Sequence, residues 1–172
     1  VSKIYVIGSS FGGSLAYLMG IHLGHKMSGV IAISAPTMTN SKVRQVSPWM
    51  AQVSDCSAYV QKNIHRIQIP TLVLHSMDDP VVKVKNALYA YEQISAKAKK
   101  LIVYNQIGHS LGFGCNTDEV TEDIHQFVVN YKDLVPVQFE LTDRGFKSVH
   151  LVGEFNQWDS QANVMSFSDG QW

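Results

Sequence analysis

The stretch Ile4-Tyr5-Val6-Ile7-Gly8-Ser9-Ser10-Phe11-Gly12-Gly13 decides how this sequence is to be folded. Its first four residues form a short apolar run that stops at a glycine, as a buried parallel strand does. Beyond it, Leu15, Leu18, Met19 and Leu23 recur at helical spacing, which predicts a helix over residues 12–23 with those side chains on its packed face. Between strand and helix stands Gly8-Ser9-Ser10-Phe11-Gly12, a G-x-S-x-G. A serine in that context occupies a tight, strained turn, and a side chain at either flanking glycine is expected to clash. Ser10 would then present its hydroxyl at the C-terminal edge of the sheet, where the helix N-terminus favours developing negative charge. The backbone N–H of Phe11 is the candidate oxyanion-hole donor.

Working outward, Val30-Ile31-Ala32-Ile33, Thr71-Leu72-Val73-Leu74 and Leu101-Ile102-Val103-Tyr104 read as three further strands. Residues 84–94 predict a helix through Leu88, Tyr91 and Ile94. Residues 117–131 predict another, with Thr117 as N-cap and Ile124, Phe127, Val128 and Tyr131 facing the sheet. Residues 37–68 are irregular and polar, long for a simple connection. Alternating strands and helices of this kind mean an α/β architecture with a parallel sheet.

A serine hydroxyl is a weak nucleophile without a base, and in this context the acid and then the base follow it along the chain. Asp79 follows the third strand in Met77-Asp78-Asp79-Pro80-Val81-Val82, and His109 follows the fourth in Ile107-Gly108-His109-Ser110. In a parallel sheet both loops open at the edge where Ser10 stands. His109 is therefore the candidate general base and Asp79 the residue that orients it, with Asp78 a competitor for the acid role. The other histidines and the two cysteines, Cys56 and Cys115, show no metal-ligand spacing, and neither a metal nor another cofactor is expected.

The pattern changes after Asp133. Val137-Gln138-Phe139-Glu140-Leu141 alternates apolar and polar residues, Asp143-Arg144-Gly145 is a turn, and residues 148–152 read as another strand. Residues 1–133 are expected to form the α/β domain and residues 134–172 part of a β module.

These motifs resemble the α/β-hydrolase superfamily, and within it the bacterial carboxylesterases and monoacylglycerol-lipase-like enzymes. The likeness spans roughly residues 1–132. It implies Ser10, Asp79 and His109 as catalytic triad, hydrolysis of a small-molecule carboxylic ester through an acyl-enzyme, and a cap over the acyl pocket at about residues 37–68. It also implies that strands preceding Ile4, and a second oxyanion donor among them, are missing from this stretch. We therefore expect a fragment of a longer protein, the C-terminal part of a hydrolase sheet. By itself it should be poorly soluble and nearly inactive, because Ile4–Ile7 would be a bare apolar edge. Further on, Val149-His150-Leu151-Val152-Gly153-Glu154-Phe155-Asn156-Gln157-Trp158-Asp159 and Asp169-Gly170-Gln171-Trp172 resemble the first half of a family 48 carbohydrate-binding module. That resemblance implies a partial, immunoglobulin-like β-sandwich and an α-glucan partner such as glycogen or starch. Trp158 would stack on a glucose ring and Asn156 would add a hydrogen bond, unless Trp158 is only a turn residue of a packing module.

Composition agrees with a packed protein: 45 % of the 172 residues are hydrophobic and the formal net charge is zero. Neutrality gives no reason to expect nucleic acid or an anionic membrane as partner, and no apolar run reaches the roughly 20 residues of a membrane span. A glycogen-linked hydrolase would be cytoplasmic. The competing reading is a glucan-binding or scaffold protein on a degenerate hydrolase fold. An amide or thioester substrate is a further alternative to the ester.

Overall fold

A computed structural model describes residues 3–38, 48–105, 107–113, 116–130, 141–153 and 158–172. The chain divides into two compact units, Val1–Leu134 and Val135–Trp172.

In the first unit four parallel strands lie in the order β1-β2-β3-β4: β1 Tyr5–Ser9, β2 Gly29–Ile33, β3 Thr71–Ser76 and β4 Lys99–Tyr104. The helices are α1 Phe11–Leu23, α2 Pro48–Asn63, α3 Lys85–Gln93 and α4 Thr117–Asn130. Successive strand residues point to opposite faces, and the core divides accordingly. On one face Val30, Ala32 and Val73 pack with Ala16, Tyr17 and Ile21 of α1, Val60 of α2, and Ala87 and Ala90 of α3. On the other, Ile31, Ile33, Leu72 and Leu74 pack with Tyr104 and with Val120 and Phe127 of α4. The middle strands are buried on both faces, which is why they read as unbroken apolar runs.

Three expectations are corrected. The face of α1 that meets the sheet carries Gly13, Ser14, Ala16, Tyr17, Gly20 and Ile21, whereas Leu15, Met19 and Leu23 are exposed. A helix apolar on all sides gives periodicity nothing to choose between, and close packing chose the small residues: a Cβ on Gly20 would lie 2.9 Å from Val30 Cγ2. The stretch expected as a cap is also reassigned in part. Residues 48–66 form α2 and a following 3-10 turn, and Val60, Ile64 and Ile67 are fully buried in the core. Of these only Val60 belongs to α2; Ile64 lies in the turn and Ile67 just beyond it, so that the connection from β2 to β3 packs onto the sheet as a crossover; residues 39–47 lie outside the described residues. Finally, α4 begins at Thr117, so Asn116 holds the cap position and its carbonyl accepts from Val120 N–H at 3.2 Å. Tyr131 lies outside the described residues.

β1 has a single neighbour among the described residues, and Ile4 and Ile7 are 54 % and 53 % exposed. In the second unit the described residues pair only at isolated bridges, Thr142 with Gln171, His150 with Val164, and Ser168 with Gln171. The strand expected at 148–152 is reduced to the His150 bridge, with Leu151 N–H to Asn163 O and Met165 N–H to Val149 O on either side. Val149 and Leu151 are half-buried, while Phe146, Val152, Val164 and Phe167 are exposed. So short a unit buries little apolar surface against itself. Most of the strand expected at 137–141 lies outside the described residues.

Candidate active site

The turn between β1 and α1 puts Ser10 at φ 53°, ψ −124°, a region that L-residues avoid. The strain is held by the backbone: Ser10 N–H donates to Ile33 O at 2.8 Å and Gly13 N–H to Ser10 O at 2.9 Å. Gly8 is obligatory, because a Cβ there would fall 2.0 Å from Gly12 O. Gly12 is not crowded; nothing lies within 4 Å of a Cβ placed on it. The crowded partner is Gly13, whose Cβ would meet Ala35 Cβ at 2.6 Å. The second clash thus stands at Gly13, one residue after the flanking glycine of the pentapeptide. Gly12→Ala should therefore leave the melting temperature within a few degrees of the parent, while Gly13→Ala should cost about 1–3 kcal/mol by overpacking; thermal unfolding of the two variants checks this.

The loop after β2 is drawn against the same turn. Ser34 is another non-glycine residue at positive φ, 48°, with its N–H on Leu74 O. Pro36 O accepts from Ser14 Oγ at 2.7 Å and from Ser57 Oγ at 3.1 Å, tying this loop to α1 and α2. Strain of this kind concentrates at functional sites, and nothing in the sequence marked Ser34.

At the same end of the sheet, the loops after β3 and β4 bring two more side chains to Ser10. His109 Nε2 lies 3.0 Å from Ser10 Oγ, and His109 Nδ1 lies 2.8 Å from Asp79 Oδ2. These partners fix the tautomer: Nδ1–H donates to the carboxylate, leaving Nε2 to accept from the serine hydroxyl. The Asp79 carboxylate is buried, and its Oδ1 accepts from the N–H groups of Val81 at 2.8 Å and Val82 at 2.9 Å. Burial pushes this carboxyl up, but hydrogen bonds from His109, Val82 and Val81 outweigh burial and hold it below the usual carboxylate range. Asp78, the competitor, does not touch His109's ring; its Oδ1 accepts from Ser76 Oγ at 2.6 Å. As the first residue of α1, Phe11 has no intrahelical acceptor for its N–H.

His75 is among the histidines to which the sequence assigns no role. It is fully buried behind the acid, with Nε2–H donating to Val82 O at 2.7 Å and lying 3.6 Å from Asp79 Oδ2. Burial lowers its pKa, against opposing effects of the Val82 carbonyl and Asp79, so it stands neutral beside the carboxylate. Its hydrogen bond closes the turn whose amides hold Asp79.

The Asp79 pKa sets a direction for acid stability. A folded-state value below the unfolded one of about 3.9 means that the stabilisation is complete above that pH and is lost as pH falls through the lower, folded value. The exposed Asp78 and the half-buried Asp143 are lowered too, by hydrogen bonds led by those from Ser76 and Trp172, and act in the same direction. Chemical denaturation from pH 5 downward should show a falling unfolding free energy, with a shallower slope in Asp79→Asn.

Four parallel strands with a serine on a strained strand–helix turn, and an acid and a histidine from later strand ends, form a recognisable frame. Solved structures share it. A monoacylglycerol lipase of Paleococcus ferrophilus superposes with a TM-score of 0.65 at 16 % identity, over 76 % of this chain and 70 % of that one. The chain has an α/β-hydrolase fold. A chain from the work on LipS and LipT, two metagenome-derived lipolytic enzymes, gives a TM-score of 0.69 at 16 % identity, over 76 % of this chain and 66 % of that one. Est1E of Butyrivibrio proteoclasticus gives 0.63 at 18 %, covering 76 % of this chain and 61 % of that one. The hydrolase-fold chain thus spans roughly two thirds of the length of these structures. A family model described as serine aminopeptidase, S33, matches residues 45–115, a stretch that holds Asp79 and His109 and lies within the first unit. No curated protein matches the chain.

Among the described residues there is no cluster of histidine, cysteine, aspartate or glutamate able to hold a metal ion. No described helix is long and apolar enough to cross a membrane. In the second unit Trp158 is 67 % exposed at φ 61°, with its N–H on Gly153 O; Asn156 lies outside the described residues.

Proposed function

We propose that this protein is a serine hydrolase of carboxylic esters. The observation that carries the reading is the continuous hydrogen-bonded line from Ser10 Oγ through His109 to the buried Asp79 carboxylate. His109 Nε2 takes the serine proton as Oγ adds to the ester carbonyl, and the oxyanion that forms sits by the α1 N-terminus, with Phe11 N–H as one donor. The tetrahedral species collapses with loss of the alcohol, which receives the proton from His109. Water, deprotonated by the same imidazole, then releases the acid and restores Ser10. Asp79 keeps the proton on Nδ1 and stabilises the imidazolium.

Esters are favoured over amides by the lipase and esterase names of the superposed structures, whereas the aminopeptidase name of the family model keeps an amide in view. A serine at position 10 speaks against haloalkane chemistry, which uses aspartate there. The test is hydrolysis of p-nitrophenyl butyrate by the protein carrying this chain, followed by matched ester, amide and thioester substrates. Release of p-nitrophenolate above the uncatalysed rate supports the reading. Inertness toward a range of acyl chains would favour a scaffold.

A second reading concerns residues 134–172. The exposed indole of Trp158 offers a flat face to a glucose ring, as the carbohydrate-module resemblance implies, and would tether the hydrolase to cytoplasmic α-glucan. Sedimentation with glycogen, lost in Trp158→Ala, would support it; equal sedimentation of parent and variant would dismiss it.

A further inference from the structure

Two successive carboxylates leave β3, and they turn to different partners. Asp79 holds the ring of His109. Asp78 holds the backbone that leads to it: its Oδ1 accepts from the N–H groups of Ile107 and Gly108, both at 3.2 Å, as well as from Ser76 Oγ at 2.6 Å. We propose that Asp78 is a positioning residue, which fastens the His109 loop to the acid turn so that the imidazole stays in line with Ser10. This rests on the ester-hydrolase reading for its consequence, though not for its geometry.

The loop needs such a fastening. Between the end of β4 and the start of α4 it passes through Gly108 at φ +67° and Gly112 at φ +83°, and glycine gives up the most conformational freedom on ordering. Downstream of His109 the loop is pinned by Leu111, which is fully buried. Upstream, the described bonds that restrain it are those to Asp78. A hydrogen bond from Asp79 fixes the direction of Nδ1 but leaves the ring free to travel with its backbone. Two consecutive amides on one carboxylate oxygen stop that travel, in the manner of a backbone nest around an anion. Because both carboxylates come from one turn, ring and backbone are referred to the same rigid strand end. Ser76, buried at that end, orients the Asp78 carboxylate in turn. A misplacement of order 1 Å at such a site can cost on the order of 100-fold in rate.

The experiment compares the parent with Asp78→Ala and Asp78→Asn for ester turnover, amide hydrogen exchange at Ile107 and Gly108, and the proton resonance of the His109–Asp79 hydrogen bond. Asparagine keeps an acceptor at Oδ1 without the charge, so rescue by it assigns the role to geometry. In Asp78→Ala we expect kcat to fall about 10- to 100-fold with KM within twofold. The two amides should exchange faster, the bridging proton should broaden, and Asp78→Asn should recover most of each loss. Unchanged kcat, or a loss confined to KM, overturns the proposal. If the parent itself turns over no ester, the hydrolase reading fails separately, and exchange and the bridging proton still decide: both altered in Asp78→Ala supports the fastening, both unaltered overturns it. Should the alanine variant not fold, Asp78→Ser takes its place, since serine suits turns and is too short to span both amides.

Discussion

Replacing Ser10 by alanine should abolish the proposed ester hydrolysis to within the contribution of binding and the oxyanion site, a fall of about 10⁶-fold in kcat with KM little changed. The size follows from the arrangement. Ser10 Oγ is the atom His109 Nε2 faces at 3.0 Å, and without it the imidazole and Asp79 have nothing to activate. Residues that act as one unit are strongly non-additive, so Ser10→Ala combined with His109→Ala should be no slower than Ser10→Ala alone. Steady-state assays of the parent and these two variants check both statements. Stability should move the other way in a companion variant. Ser10 stands at φ 53°, where a non-glycine residue costs about 1–3 kcal/mol. Ser10→Gly relieves that strain, less the roughly 0.5–1 kcal/mol of extra freedom glycine brings to the unfolded chain. Glycine should thus melt higher than alanine at this position, while both are inert.

Asp79→Asn is expected to lower kcat by about 10³- to 10⁴-fold while the fold persists. An asparagine at this site can turn its amide NH₂ toward His109 Nδ1, which then must accept, and the ring proton moves to Nε2. Nε2 can no longer take the proton of Ser10. The same change at the neighbouring position has a different consequence, since Asp78 accepts from backbone amides and a hydroxyl that asparagine's oxygen still satisfies. The pair Asp79→Asn and Asp78→Asn, equal in chemistry and adjacent in sequence, should therefore differ by two or more orders of magnitude in kcat. Equal effects would mean that the acid had been assigned to the wrong carboxylate.

The residues differ in how plainly the sequence announced them. β2 and β3 were legible because burial on both faces leaves short uninterrupted apolar runs, Val30–Ile33 and Leu72–Leu74. The meeting of Ser10, Asp79 and His109 was legible from chain order, since parallel strands deliver every following loop to one edge. The contact face of α1 was not, because Leu15 and Met19 are as apolar as the Ala16 and Ile21 that pack, and only the closeness of the sheet selects the smaller set. α2 was hidden by the polar residues that flank Val60. The glycine that crowds Ala35 was misplaced by one position, a distinction that depends on where β2 ends and not on the pentapeptide. Asp78 was visible only as a rival for the acid role, and His75 not at all, because the bonds to Ile107, Gly108 and Val82 are made with backbone groups, which a sequence does not distinguish.

The most direct test of the account is covalent labelling of the protein by a fluorophosphonate, followed by peptide mapping. One adduct is expected, on Ser10, formed fast in the parent, on the order of 100-fold slower in His109→Ala and absent in Ser10→Ala. A protein that takes no label, or takes it on another serine at a rate indifferent to His109, would contradict it.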